Sequence, residues 1–362
     1  MRRRSRILGA LSGAALALVA LSATAQDEPF KVGFVYVGPV GDHGWTYRHD
    51  IGRLAIEEEF GDAVETTYVE SVPEGADAER VIRKLASEGH DLIFTTSFGY
   101  MNPTFKVARE FPDVKFEHAT GYKRADNLAT YSARFYEGRA VIGTMAGMMT
   151  ESNVIGYIAS FPIPEVVRGI NAFAIAMRKV NPEAEIKVVW VNTWYDPGKE
   201  ADAARALIDQ GADIITQHTD SPAPLQVAEE RGVLGFGQAS DMAAFAPKAQ
   251  LTSIIDDWNP YYVERTRAAM DGSWKSEDTW TGIDGGMVAF PEPRYGEAVP
   301  EDVREAAEVI VEGIVSGSLH PFQGPIRNQA GEEIVAEGET LDDEALLGMN
   351  YYVEGVQGEL PK

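Results

Sequence analysis

The sequence predicts an α/β protein of two similar lobes, each a parallel sheet flanked by helices, joined by a multi-strand hinge. Three observations predict it. From Phe30 onward short, continuously apolar runs alternate with amphipathic ones, the pattern of parallel strands buried on both faces. The alternation begins afresh after Glu151-Ser152-Asn153, in the same architecture though not the same sequence. Beyond residue 250, strand-like pieces return as if to complete sheets already begun, which makes the lobes discontinuous and suits hinge closure around a ligand.

Taken in order, the chain opens on Arg2, Arg3, Arg4 and Arg6, an apolar run from Ile7 to Leu21, and Ala23-Thr24-Ala25, the layout of a secretory signal peptide over residues 1–25. A periplasmic location is therefore expected. The apolar run is short for a membrane span, and no later stretch approaches one, so the mature protein is not expected to be membrane-inserted. The chain contains no cysteine, which leaves neither a disulfide nor a thiol for a lipid anchor. Removing the leader takes away four arginines and no acid, so the formal charge of -24 falls to about -28. Such acidity disfavours nucleic acid and anionic membrane surfaces as partners.

The first lobe, residues 28–142 with a returning segment around 256–285, reads as strand 32–37, helix 50–60, strand 64–69, helix 77–88, strand 91–96, helix 103–111, strand 114–119 and strand 128–133. A long helix over 136–150 carries Gly143, Ala146 and Gly147. The second lobe, residues 143–255 with part of 286–362, reads as strand 154–159, helix 165–180, strand 185–191, helix 199–210, strand 213–216, helix 222–231, strand 233–236 and strand 251–255. Helix 260–270, strand 285–290 and helix 300–315 follow, and the tail after Ser316 reads only as surface structure.

Ligands of open α/β folds bind at the carboxyl ends of strands. There the sequence places Gly38-Pro39-Val40-Gly41-Asp42-His43-Gly44-Trp45-Thr46-Tyr47, a glycine-punctuated connection rich in hydrogen-bonding and stacking groups. Trp45 offers a flat face for a planar ligand or a sugar, and Asp42 an acceptor for N–H or O–H groups. Matching loops carry Phe98 after the third strand, Trp194 in Asn192-Thr193-Trp194-Tyr195-Asp196-Pro197, His218 and Asp220 in Gln217-His218-Thr219-Asp220-Ser221, and Asp241 in Gly237-Gln238-Ala239-Ser240-Asp241. Catalytic signatures are missing: no Gly-x-Ser-x-Gly elbow, no phosphate-binding Gly-x-x-x-x-Gly-Lys-Ser/Thr and no His-Glu-x-x-His. Gly38, Gly41 and Gly44 lack the dinucleotide-binding spacing. No metal or cofactor is expected, and the protein is not expected to be an enzyme.

These features resemble the basic membrane protein (BMP) family of ABC-transporter solute-binding proteins, which includes purine and nucleoside receptors. The resemblance rests on Lys31 to Trp45, the small-residue helix Gly138 to Gly147, Val154-Ile155-Gly156-Tyr157-Ile158 leading to Phe161-Pro162-Ile163-Pro164, Asn192 to Pro197, Gly211-Ala212-Asp213-Ile214-Ile215 and Leu251-Thr252-Ser253. It implies a type I periplasmic-binding-protein fold, acting as a monomer, that hands its solute to an inner-membrane permease. Where the family's nucleoside receptors have Asp-x-Ser-Phe-Asn, this chain has Asp42-His43-Gly44-Trp45-Thr46. Asp241 matches an aspartate that such receptors place on ribose, and Asp256 stands where they carry a ribose-binding lysine. The resemblance thus implies a receptor for a free purine base such as adenine, with Asp42, Gly44, Trp45, Thr46, Tyr47, Phe98, Trp194, His218, Asp220, Asp241 and Asp256 at the ligand. A nucleoside or sugar receptor of the same fold remains an alternative. So do a sensory protein and an exported nucleoside hydrolase acting through Asp42 or the Asp256-Asp257 pair.

Overall fold

The computed structural model describes residues 28–361, so the leader expected over residues 1–25 lies outside the described residues. The first series of elements is β1 (Phe30–Val35), α1 (Gly44–Phe60), β2 (Val64–Val69), α2 (Ala76–Ser87), β3 (Leu92–Thr95), α3 (Met101–Glu110), β4 (Lys115–Ala119), β5 (Leu128–Ala133) and α4 (Phe135–Met149). The second is β6 (Val154–Ala159), α5 (Pro164–Val180), β7 (Glu185–Trp190), α6 (Pro197–Asp209), β8 (Ile214–Gln217), α7 (Ala223–Arg231), β9 (Leu234–Gly237) and β10 (Gln250–Ser253). The returning part comprises β11 (Ile255–Asp256), α8 (Asn259–Asp271), β12 (Asp278–Thr281), β13 (Val288–Ala289) and α9 (Glu301–Val315). Last come β14 (Ile326–Arg327), β15 (Glu333–Val335), α10 (Asp343–Leu347) and β16 (Val356–Gln357).

The two main sheets run β12-β5-β4-β3-β1-β2 and β10-β9-β8-β6-β7-β16, every pairing in them parallel. Central strands explain the apolar runs: every residue of β3 is buried, whereas edge strand β2 puts Glu65 and Tyr68 in water. In each sheet the chain reverses its direction of winding at the first strand, between β2 and β3 in one and between β7 and β8 in the other. Two doubly wound lobes therefore each present a switch point, and the loops leaving it gather at one edge.

The chain passes between the lobes three times: at Ala133–Phe135, after β10 through β11, and after β12 through β13. The last two passages pair antiparallel, Ile255 opposite Ala289 and Asp256 opposite Val288. Arg134 N donates to Thr281 O at 2.7 Å, and Ile283 N donates to Glu137 Oε2 at 2.8 Å, which ties the first passage to the third. A multi-strand hinge is what these bonds make.

Helix α4 is buried from Phe135 to Gly147, so its largely apolar, small-residue sequence reflects packing on every side, with Glu137, Arg139 and Thr144 buried among the apolar residues. Its approach to α5 is close, since a Cβ on Gly143 would fall 2.4 Å from the Phe173 carbonyl.

Three differences from the sequence reading have simple causes. Helix α1 starts at Gly44, six residues before the apolar pattern begins, because its first turns are aromatic and polar residues: Trp45 lines a cleft, while Thr46, His49 and Asp50 are buried and hydrogen-bonded. Strand β12, Asp278-Thr279-Trp280-Thr281, is polar and escapes a hydrophobic pattern, yet it joins β5 in parallel. The tail after Ser316 is more than surface: Phe322, Ile326, Val335, Leu346, Met349, Tyr352, Val353 and Val356 are buried, and β16 extends the second sheet beside β7.

Removing one of these anchors should be felt by the whole second lobe. We expect Phe322→Ala, which empties a fully buried position, to lower unfolding free energy by about 3–5 kcal/mol in denaturant titration.

Candidate ligand-binding site

The loops leaving β1 and β3 of one lobe face those leaving β6, β7, β8 and β9 of the other. Where they meet lies a cavity of about 390 Å³ counting its opening to solvent, walled by Val37, Trp45, Ser97, Phe98 and Thr120 on one side and Glu165, Trp194, His218, Asp220 and Gln238 on the other. Its aromatic surface comes from Trp45, Phe98 and Trp194.

Trp45 sits in the first turn of α1. Its ring leans on the buried aromatics beneath, His49 at 4.4 Å and Trp258 at 5.5 Å, both edge-on. Its indole N–H donates to Thr96 O at 2.7 Å, so only ring surface is left for a ligand. Trp194 rests against Phe161, ring centroids 4.9 Å apart, and donates its Nε1–H to Glu74 Oε1 of the opposite lobe at 3.1 Å.

The lobes are in contact across the cavity. Gly44 N donates to Ser240 Oγ at 2.7 Å and Trp45 N to Asp220 Oδ1 at 3.3 Å. Gly44 has φ +76°, and a Cβ there would lie 2.6 Å from the Asp220 carbonyl oxygen. Glycine is thus required twice, by the backbone and by the neighbouring lobe.

Burial, reinforced by the nearby Glu200 carboxylate and only partly offset by the Trp45 N–H, pushes the Asp220 carboxyl up to about 8. Helix N-termini favour a nearby anion by about 0.3–1 kcal/mol, up to about 2. A shift of this size corresponds to on the order of 5 kcal/mol, so desolvation outweighs the helix terminus and favours the protonated carboxyl. Burial likewise holds the His218 imidazole below its ordinary range, against the raising effect of Glu165 at 3.4 Å. His218 therefore presents a neutral ring whose buried Nδ1 has no protein partner. Gln217 Oε1, Thr219 Oγ1, Ser160 Oγ and Arg139 Nε are buried and uncommitted at the same strand ends. Of these groups only His218 lines the cavity itself, and an unsatisfied buried polar atom costs about 1–3 kcal/mol.

Of the residues expected at the ligand, Trp45, Phe98, Trp194, His218 and Asp220 line the cavity, and Gly44 forms the seam between lobes. The others stand elsewhere. The Asp42 side chain is 79% exposed and bonds His43 Nδ1 at 2.8 Å. Thr46 is buried and accepts from Gly38 N at 3.3 Å, fixing the loop after β1 rather than facing the cavity. Tyr47 is half-buried on α1 outside the cavity lining. Asp241 is exposed, its Oδ1 taken by Ala243 N and Gln250 Nε2. Asp256 is buried in the hinge with both carboxylate oxygens unpartnered, and burial raises it well above the usual carboxylate range despite Arg48. Arg48 instead bonds the Asp256 carbonyl at 2.6 Å and Asp257 at 3.2 Å. Sequence reading missed Glu74, in the turn after β2, and Glu165, in the first turn of α5. Their signal was position alone, a carboxylate just beyond a strand end.

Two facing switch points closing on an aromatic-walled cavity define a solute-binding protein, in the architecture of type I periplasmic-binding proteins. The chain belongs to the Bmp family: the family described as ABC transporter substrate-binding protein, PnrA-like, matches residues 30–319. A purine-binding protein of Brucella abortus (strain 2308) is 57% identical over 336 residues, 93% of this chain and 95% of that one. A candidate glucose-binding protein of an ABC transporter from Haloferax volcanii is 40% identical over 336 residues, covering 93% of this chain and 82% of the relative. Among solved structures, an ABC transporter solute-binding protein from Aeropyrum pernix K1 shares the fold at TM-score 0.70 and 18% identity, covering 88% of this chain and 95% of that one. Binding rather than turnover is therefore the activity, exercised outside the cytoplasm on a small molecule and in the service of a membrane permease.

Two outcomes follow from the closed geometry. Gly44→Ala should hold the lobes apart and weaken solute binding about ten- to a hundredfold in calorimetry, with the circular dichroism spectrum unchanged. Closure buries Asp220, so between about pH 4 and about pH 8 the closed form keeps a proton that an exposed aspartate has lost. By linkage, affinity should then fall as pH rises across this window, by at most about tenfold per unit, and Asp220→Asn should flatten the profile.

Proposed function

We propose that the protein is the receptor of an ABC importer for a free purine base, adenine or a close relative, which it carries as a monomer to an inner-membrane permease. The observation that carries this reading is the commitment of both cavity indole N–H groups to protein acceptors, Thr96 O and Glu74, which leaves flat ring surface as what Trp45 and Trp194 offer a ligand. A planar heterocycle uses such surfaces fully. Aromatic pairs of this kind contribute about 0.5–1.5 kcal/mol beyond area burial.

The edge of a purine presents N–H donors beside ring-nitrogen acceptors. A protonated Asp220 both donates and accepts, neutral His218 does the same through its two nitrogens, and Glu165 accepts. Among the described residues no lysine or arginine lines this cavity, which disfavours a phosphorylated solute. The purine-binding relative at 57% identity supports the same class.

A sugar is the competing solute, since tryptophan faces also stack on sugars and the Haloferax volcanii relative bears a glucose-binding name. A thermal-shift panel of adenine, hypoxanthine, guanine, inosine and glucose separates them, because a bound solute at a hundred times its Kd stabilises by about 2.7 kcal/mol. We expect the largest shift from a free base. Mass spectrometry of solute carried through mild purification provides the second measurement, and a hexose there, with no response to any base, would overturn the assignment.

A further inference from the structure

Glu74 lies in the turn Pro73-Glu74-Gly75 between β2 and α2, away from the loops that the switch points supply. Its Oε1 nonetheless accepts three hydrogen bonds at the rim of the solute cavity: from Ser97 Oγ at 2.5 Å, from Gly99 N at 3.1 Å and from Trp194 Nε1 at 3.1 Å. Ser97 and Gly99 flank Phe98, one aromatic wall. Trp194 is the wall that the other lobe brings. The carboxylate can approach because residue 99 has no side chain; a Cβ there would lie 2.1 Å from Glu74 Cδ.

We propose that Glu74 is a positioning residue that fixes the two aromatic walls relative to each other, and does so only when the lobes are closed. Two of its bonds stay within the first lobe and persist on opening, so they hold the carboxylate aimed into the cleft as a ready acceptor. The third crosses the cleft and breaks on opening, which frees the Trp194 ring to turn about its side-chain bonds. Closure restores the bond and sets the ring plane against which a solute stacks. Because an ionised acceptor makes a stronger hydrogen bond than a neutral one, the latch favours a carboxylate at this position over an amide. The bond forms after solute has entered the cleft, so its contribution falls on the rate of release rather than on capture.

The inference rests on the cavity being the solute site and not on which solute fills it. The test therefore uses whichever of adenine, hypoxanthine, inosine and glucose stabilises the wild-type protein most; that choice reports on the purine reading, whereas rate ratios with the same solute report on Glu74. Stopped-flow release should be about ten- to a hundredfold faster for Glu74→Ala, with association within about threefold of wild type. Trp194→Phe, which keeps the aromatic wall and deletes the donor, should accelerate release similarly, and Glu74→Gln, which keeps a neutral acceptor, should release at a rate between those of wild type and Glu74→Ala. The double variant Glu74→Ala/Trp194→Phe should release no more than about threefold faster than the faster single variant, because both remove one bond. Release from Glu74→Ala at the wild-type rate, or single effects that multiply in the double variant, would overturn the proposal. Should Glu74→Ala fold poorly, wild-type release from Trp194→Phe would overturn it equally.

Discussion

The first N–H groups of a helix have no partners inside it. In α1 the residue before the helix, His43, makes no side-chain cap, and the N–H groups of Gly44 and Trp45 are taken up by Ser240 and Asp220 of the opposite lobe. The rest of the site follows from this capping across the cleft. It brings Trp45 to the cavity wall and buries Asp220. It also requires a residue at 44 with neither a Cβ nor a preference for negative φ.

Capping from outside the helix makes closure a balance of modest terms. An N-cap is worth about 0.5–2 kcal/mol and a net hydrogen bond about 0.5–1.5 kcal/mol. Against them stands the cost of holding Asp220 in a dry place, relieved by its proton. Terms of this size leave room for a solute to decide the equilibrium, since the closed state gains the solute's contacts and the open state does not. The hinge is built for the same end: β11 and β13 pair over only two residues each, Asp257 N donates to Met287 O, and a handful of bonds among Ala133, Arg134, Glu137, Trp280, Thr281 and Ile283 tie the first passage to the third.

The frame was legible in the sequence because buried parallel strands repeat an unmistakable apolar signature. β5 and β6 begin and end where the sequence places them, and so does the more polar edge strand β2. Legibility failed where local sequence and tertiary role diverge. The opening of α1 reads as loop because its first turns are aromatic and polar, and β12 reads as nothing because its residues are polar. Of the residues the sequence singles out, the aromatics Trp45, Phe98 and Trp194 line the cavity, whereas of the aspartates only Asp220 does. Trp45 and Trp194 have few other uses in a loop, whereas an aspartate serves equally well as a turn former: Asp241 caps its own turn and Asp42 pairs with His43. Glu74 was missed because its role depends on two partners far away in sequence and one in the other lobe.

The repeated strand order carries a further consequence. Each lobe has its own switch point, and each contributes one side of the cavity lining. Substitutions in one set of loops can therefore retune recognition while the other half keeps its grip.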